Sequence, residues 1–467
     1  MTESTPLWHH QKEAIARAGE RFALFFDPGT GKTRTAIEIY KSQKTCTGNT
    51  KAIIFAPLNV CRNWEVELKK YLGGPFVHYL VAGQTKAAKL RVLSLFSEEK
   101  TKEPQFLVCN IESLRSEECV EAMIAARPQF IIVDESHNFK SHSSQQTKGL
   151  LELVRKAKPA NLYLLTGTPA PQGDIDLWST FYLLGKTTDT FFIWRKKYFE
   201  DKNERRRGTR NYWPDYQVTA KSQAIFQQWL SECSAVAKKD EVLDLPPYLR
   251  TTLYAEMSAE QKRHYETMEE YLFAIDSEGN ELNASNVLVR TLRLQQILAG
   301  FIGEVPIKEN PRLDAIESAI EKTNGEQFII WTIFKGTYNE LSRKLDDLGI
   351  TFAKLTGEES ATERFDNMNA FQSGDIRCLI AHPKAGGVGV NLTAASYSIH
   401  YTRSFSLTDD LQAEARNYRG GSERHSRITR IDIVTPGTID EEITEALYQK
   451  KSAQEFIMGL RNKHAGQ

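Results

Sequence analysis

The nine residues FFDPGTGKT, 25 to 33, carry the densest chemistry in the chain. Gly29 and Gly31 leave the backbone free to curl its amides around an anion, with Thr30 between them. Lys32 adds a positive charge and Thr33 a hydroxyl of the kind that ligates Mg²⁺. These types, in this order, read as a loop that cradles the phosphates of a nucleoside triphosphate. The full glycine-rich pattern has a further glycine where this chain has Phe26. A second group, Asp134 and Glu135 in QFIIVDESHNFK, follows an apolar run. There Asp134 suits a Mg²⁺ ligand and Glu135 a general base for an attacking water. A third, LTGTP at 165–169, follows another apolar run. A glycine turn before a helix, or an acidic pair after a strand, is common without function. The conjunction of all three is what points to triphosphate hydrolysis.

Such groups need strands that end at one edge and helices that return the chain. From about residue 21 to 169, RFALFF, KAIIFAP, QFLVCN, QFIIVDE and NLYLLTG alternate with amphipathic stretches, the rhythm of a parallel sheet with crossover helices. QFIIWT, ITFAKLTG, RCLIAH, SYSIHY and TRIDIVT repeat that rhythm from residue 312. Between them, AEQKRHYETMEEYLFAI and NVLVRTLRLQQILAG read as helices, and IDEEITEALYQKKSAQEFIMGL as a closing helix. The predicted organisation is α/β: a sheet domain over 1–169, a helical region over 170–311, a second sheet domain over 312–438 and a C-terminal helix over 439–467.

Composition excludes other classes. With 467 residues, 40% hydrophobic and 26% charged, the chain is too long for one small binding module and too apolar for a disordered one. No window reaches the ~18 uninterrupted apolar residues of a membrane helix, and the start has no signal-peptide pattern, so the expected compartment is the cytoplasm. The six cysteines form no C-x-x-C pair and are expected to be reduced thiols. Lys+Arg 60 balance Asp+Glu 60, so any nucleic-acid site must be a local basic strip. Arg205, Arg206, Arg207 and Arg210, with Lys196 and Lys197, form one such strip or a solvated loop.

GTGKT, DESH and LTGTP, in that order, resemble motifs I, II and III of superfamily 2 helicases and translocases. IIFAPLNVCRNWEVELKKY (53–71), DEVLDLPPYLRTTLYAEMSAEQKRHYE (240–266), QFIIWTIF (327–334), KAGGVGVNLTAAS (384–396) and QAEARNYRG (412–420) extend that resemblance to the Swi/Snf-type ATPases over about residues 7 to 450. The resemblance implies two RecA-like domains with a helical insertion, and ATP and Mg²⁺ as cofactors. It implies that Gln11 reads the adenine edge, although the aromatic usual just before it is His10 here. It places Gln412, Arg416 and Arg419 on the nucleotide, the two arginines as fingers onto the γ-phosphate. Pro57, Thr168, Gly387, Asn391 and Thr393 are implied contacts to a DNA backbone, which carry no base code. Trp64 is either core or a DNA-stacking residue. Val236 and Ala237 stand where the family has paired arginines, and Ser422 where it has a glutamine.

The expectation is therefore a DNA-dependent ATPase that translocates on and remodels duplex or branched DNA irrespective of sequence. It is expected to act as a monomer, away from membranes, in a bacterial cytoplasm or a phage's host, in repair or recombination. A strand-separating or branch-migrating helicase is the alternative, and a catalytically silent nucleic-acid scaffold the third reading.

Overall fold

The computed structural model describes residues 6–43, 50–58, 60–170, 173–206, 214–277, 284–303, 305–384 and 391–449. The chain divides into two compact units, residues 1–243 and 244–467.

The first unit is built on a seven-stranded parallel sheet. Its strands are β1 (Arg21–Phe26), β2 (Lys51–Ala56), β3 (Val77–Val81), β4 (Gln105–Asn110), β5 (Phe130–Asp134), β6 (Asn161–Leu165) and β7 (Ser234–Ala237). They lie side by side in the order β3-β4-β2-β5-β6-β1-β7. Strands β2, β4, β5 and β6 are buried at every residue, which is why each reads as an unbroken apolar run. Ala23, Phe25, Ile53, Phe55, Ile131 and Val133 point to one face and pack on the helices Lys86–Glu98, Glu117–Ala125 and Gln145–Ala157. The loops after β1, β2, β5 and β6 all leave the same carboxyl edge, where parallel α/β sheets place their ligands. The motif-bearing residues therefore emerge together.

The second unit has a six-stranded parallel sheet of β8 (Tyr248–Tyr254), β9 (Phe328–Trp331), β10 (Phe352–Leu355), β11 (Cys378–Ala381), β12 (Tyr397–His400) and β13 (Ile428–Val434), in the order β8-β13-β12-β9-β11-β10. Strand alternation divides its core. Phe328 and Ile330 face one cluster, Ile329 and Trp331 the other. The helices Ala259–Ser277 and Ala284–Leu298 join this unit. Tyr265, Leu294, Ile297 and Leu298 pack against Ile439, Ile443 and Leu447 of the helix Ile439–Tyr448.

Among the described residues of 170–311 helix predominates, and they also give each sheet one edge strand, β7 and β8. Neither reads as a strand: β7 is four mostly small residues, Ser-Ala-Val-Ala, and polar residues interrupt β8, YLRTTLY. Val236 is exposed, and β8 has no residue that is fully buried. A short antiparallel hairpin, 199–201 with 216–218, follows the helix Phe191–Tyr198. Arg205 and Arg206 lie in that hairpin's loop, while Arg207 and Arg210 fall outside the described residues. No described helix is long and apolar enough to cross a membrane. Cys61, Cys109, Cys119, Cys233 and Cys378 are free, buried thiols.

Candidate nucleotide and nucleic-acid site

The turn from β1 into the helix Lys32–Gln43 is where a phosphate would meet backbone amides and a helix N-terminus. Gly29 and Gly31 sit at φ +90° and +84°, which L-residues with a side chain rarely adopt. The Thr30 hydroxyl donates to the Asp27 carbonyl at 2.8 Å and the Lys32 ammonium to the Phe26 carbonyl at 2.8 Å, so the loop is closed on itself. Gln11 packs on this loop: its carbonyl accepts from Trp8 N at 2.9 Å and its amide donates to Gly31 O at 3.3 Å. A Cβ on Gly31 would stand 2.3 Å from that amide nitrogen. His10 completes the layer, with Nε2 2.9 Å from Thr30 O and its ring stacked on Trp8. β7 closes the other side, where Asp27 N donates to Ala237 O and Lys239 N to Asp27 Oδ2, each at 2.9 Å.

Asp134 ends β5 and is buried. Its Oδ1 accepts from Glu135 N and its Oδ2 from the Trp64 indole N–H, both at 2.9 Å. Burial and the neighbouring Glu135 charge raise its carboxyl to about 6, while the Trp64 hydrogen bond and the Lys32 charge oppose the rise. Glu135 takes a left-handed backbone, φ +49°, as the chain turns from β5 into a short 3₁₀ helix. Such strain in a non-glycine residue persists only where its surroundings hold it. Asn138 does so, its N and Nδ2 donating to the Glu135 carbonyl at 3.0 and 2.9 Å. The Glu135 carboxylate is met by His137, whose Nδ1 lies 3.1 Å from Oε2 and 3.0 Å from the Thr166 hydroxyl. Thr166 Oγ1 in turn accepts from Thr168 N at 3.1 Å. Beside it, a Cβ on Gly167 would meet Pro28 at 2.8 Å, so the turn after β6 lies directly against the phosphate loop.

In the second unit, Gln412 and Arg416 share a face of the helix Leu407–Asn417, and Arg419 lies in the turn beyond it, closed by Ser422 N on Arg419 O at 2.9 Å. That helix is tied to the segment Asn391–Thr393. Leu392 N donates to Arg416 O at 2.9 Å, and Asn391 Oδ1 accepts from Thr393 N at 3.2 Å. Thr393 O receives Arg424 Nε at 3.0 Å and lies 2.8 Å from His425 Nε2. Gly387 lies outside the described residues. Beneath the helix, buried Arg430 bonds Asp410 through two nitrogens at 2.7 and 2.9 Å, and Asp432 through Nε at 2.9 Å. Arg403 reaches Asp432 at 3.1 Å, and Tyr448 donates to it at 2.7 Å.

Residues 18–300 match the SNF2-related domain family, and residues 311–421 the helicase conserved C-terminal domain family. The chain belongs to the SNF2-related family. It is 26% identical over 411 residues to an uncharacterized ATP-dependent helicase of Mycoplasma pneumoniae, covering 86% of this chain and 37% of that one. It is 24% identical over 449 residues to the mouse SWI/SNF-related matrix-associated actin-dependent regulator of chromatin subfamily A member 1, covering 89% of this chain and 39% of that one. It thus spans less than half the length of these curated relatives. A solved structure, the Sulfolobus solfataricus SWI2/SNF2 ATPase core in complex with dsDNA, is 20% identical, with a TM-score of 0.43 over 95% of this chain and 91% of that one.

Within this SNF2-related chain, Gln11, Gly29, Thr30, Gly31, Lys32 and Thr33 gather at one loop, and Asp134 feels the charge of Lys32. Pro57 joins them indirectly: its carbonyl accepts from Val60 N at 2.8 Å, at the start of the helix that carries Trp64. Three contributors escape sequence reading. Trp8 covers Gly31, Trp64 holds Asp134, and His137 links Glu135 to Thr166. His137 lies within the DESH string itself; the contact of Trp64, 70 residues from Asp134, leaves no mark in local spacing.

Proposed function

We propose that this chain is a DNA-dependent ATPase that uses ATP hydrolysis to move along duplex or branched DNA without regard to base sequence. The observation that carries the proposal is the linked cluster at the edge of the first sheet, where Lys32, Asp134, Glu135, His137 and Thr166 come from three separate motifs. The amides of the 29–33 turn and the Lys32 ammonium bind the β- and γ-phosphates, for which Lys32 exchanges its bond to the Phe26 carbonyl. Glu135 accepts the proton of the attacking water. Arg416 and Arg419 supply positive charge as the terminal phosphoryl leaves.

A buried carboxylate whose two oxygens each hold one donor suits a hard cation with oxygen ligands, and Thr33 adds a hydroxyl at the start of the helix Lys32–Gln43. Thr33 and Asp134 would hold Mg²⁺, which supplies Lewis-acid charge to the phosphate oxygens. Gln11 is the adenine-side residue, and Gln412 a second contact to the nucleotide. Pro57, Thr168, Gly387, Asn391 and Thr393 hold the DNA backbone, a monomer suffices, and the working place is the cytoplasm.

ATP turnover measured with single-stranded, duplex, forked and four-way DNA tests this reading, together with displacement of a triplex-forming strand. Duplex-stimulated turnover with triplex displacement is the expected result. Failure of triplex displacement with efficient opening of a simple fork would replace duplex tracking by strand separation, and turnover indifferent to all DNA would overturn the proposal.

A further inference from the structure

Trp64 has 0% of its surface exposed and lies on the first turn of the helix Cys61–Tyr71. That helix is anchored at its start. Val60 N donates to Pro57 O at 2.8 Å, Trp64 N to Val60 O at 3.2 Å, and the Cys61 thiol reaches the carbonyls of Ala56 and Pro57. β2 pairs directly with β5, so the crossover helix brings its indole over the end of the neighbouring strand. There the N–H meets Asp134 Oδ2 at 2.9 Å. With Glu135 N on Oδ1, the carboxylate is fixed at both oxygens and can neither rotate nor swing. Each ionised oxygen accepts more than one bond, so each keeps a lone pair for a cation.

We propose that Trp64 is a positioning residue for the metal site: its indole N–H holds the Asp134 carboxylate in the orientation that binds Mg²⁺. This rests on the reading of Asp134 as a Mg²⁺ ligand given above. Partners that orient a ligating group from behind typically set metal affinity by about 10- to 100-fold. A hydrogen bond that merely satisfies a buried indole would instead affect folding and leave metal binding unchanged.

Two changes at position 64 separate these roles. Trp64→Phe removes the donor and part of the ring. Replacement of Trp64 by β-(3-benzothienyl)alanine keeps the bicyclic shape and exchanges only N–H for sulfur, so it preserves the packing that Phe leaves partly empty. Free Mn²⁺, titrated into the full chain with a non-hydrolysable ATP analogue, is read by electron paramagnetic resonance for wild type, both position-64 variants and Asp134→Asn. Both position-64 changes are expected to weaken Mn²⁺ binding about 10- to 100-fold, while metal-free nucleotide binding stays within a few fold. If Asp134→Asn weakens Mn²⁺ binding but the benzothienyl variant does not, the role of Trp64 is wrong and the ligand reading survives. If Asp134→Asn itself leaves Mn²⁺ binding unchanged, the ligand reading fails and the proposal fails with it.

Discussion

Arg430 is a residue whose loss the second unit should tolerate poorly. It is fully buried in β13 between two carboxylates, Asp410 and Asp432, both held below the ordinary carboxylate range, chiefly by Arg430 for Asp410 and by Arg403 and Arg430 for Asp432, against burial. Arg430→Met keeps most of the side-chain volume and removes the charge. Asp432 retains Arg403 at 3.1 Å and the Tyr448 hydroxyl at 2.7 Å. Asp410 retains only distant partners, His400 at 4.0 Å among them. Breaking a buried pair on one side typically costs about 3–5 kcal/mol. Asp410 can escape by taking up a proton, which at pH 7 costs about 1.36 kcal/mol for each of the ~3 pH units above its ordinary value, or about 4 kcal/mol. The two routes agree. In wild type the low carboxyl values stabilise the fold fully above the unfolded value, and that contribution is lost as pH falls from there through the lowered folded values. In the variant Asp410 is protonated when folded and ionised when unfolded, so stability falls as pH rises. The difference between the two proteins should shrink by about 2–3 kcal/mol from pH 7 to pH 5. Hydrogen exchange of peptides covering β12 and β13, followed by mass spectrometry, reads this unit alone. Asp410→Leu added to Arg430→Met should recover much of the loss, since an apolar replacement of a buried pair is often near neutral. A loss below about 1 kcal/mol at pH 7, or one that does not change with pH, would refute the buried-charge account.

Other variants test the site. Gly31→Ala places a Cβ against Gln11 at a φ of +84°, and should weaken ATP binding at least about tenfold while melting shifts little, as read with a fluorescent nucleotide. Arg416→Ala or Arg419→Ala should lower turnover by about 10³–10⁵ while nucleotide affinity stays within a few fold; loss of affinity with unchanged turnover at saturation would make them ground-state contacts. DNA affinity should fall linearly on a log–log plot against salt, with a slope of about −0.9 per phosphate contacted on duplex, and should not vary with base sequence.

The central strands were legible because burial on both faces forces continuous apolar runs, as in KAIIFA and FIIVD. Three of the four edge strands were not, whereas the edge strand β10 could be read from ITFAKLTG. β3 is mostly half-buried, β7 exposes Val236, and β8 reads YLRTTLY, so polar residues interrupt the signal that covered strands show. The phosphate loop and the Asp134–Glu135 pair are local in sequence and could be read as such. The parts that orient them are tertiary. Trp64 could be weighed only as core or as a DNA-stacking residue, yet it is core with its one polar atom on Asp134. The ionic cluster under the Gln412 helix did leave a trace. Arg430 and Asp432 stand two apart in the apolar strand ITRIDIV, hence on one face, where opposite charges would have to be paired inside.

Lys32, Asp134 and Glu135 are proposed to form one ATP-hydrolysing site that DNA stimulates. Steady-state ATP turnover with and without duplex DNA, measured for wild type, Lys32→Ala and Glu135→Gln alongside nucleotide binding, tests it most directly. Wild type is expected to show DNA-stimulated turnover that both variants lose, with ATP binding retained in Glu135→Gln and weakened in Lys32→Ala. Substantial DNA-stimulated turnover in either folded variant would contradict it.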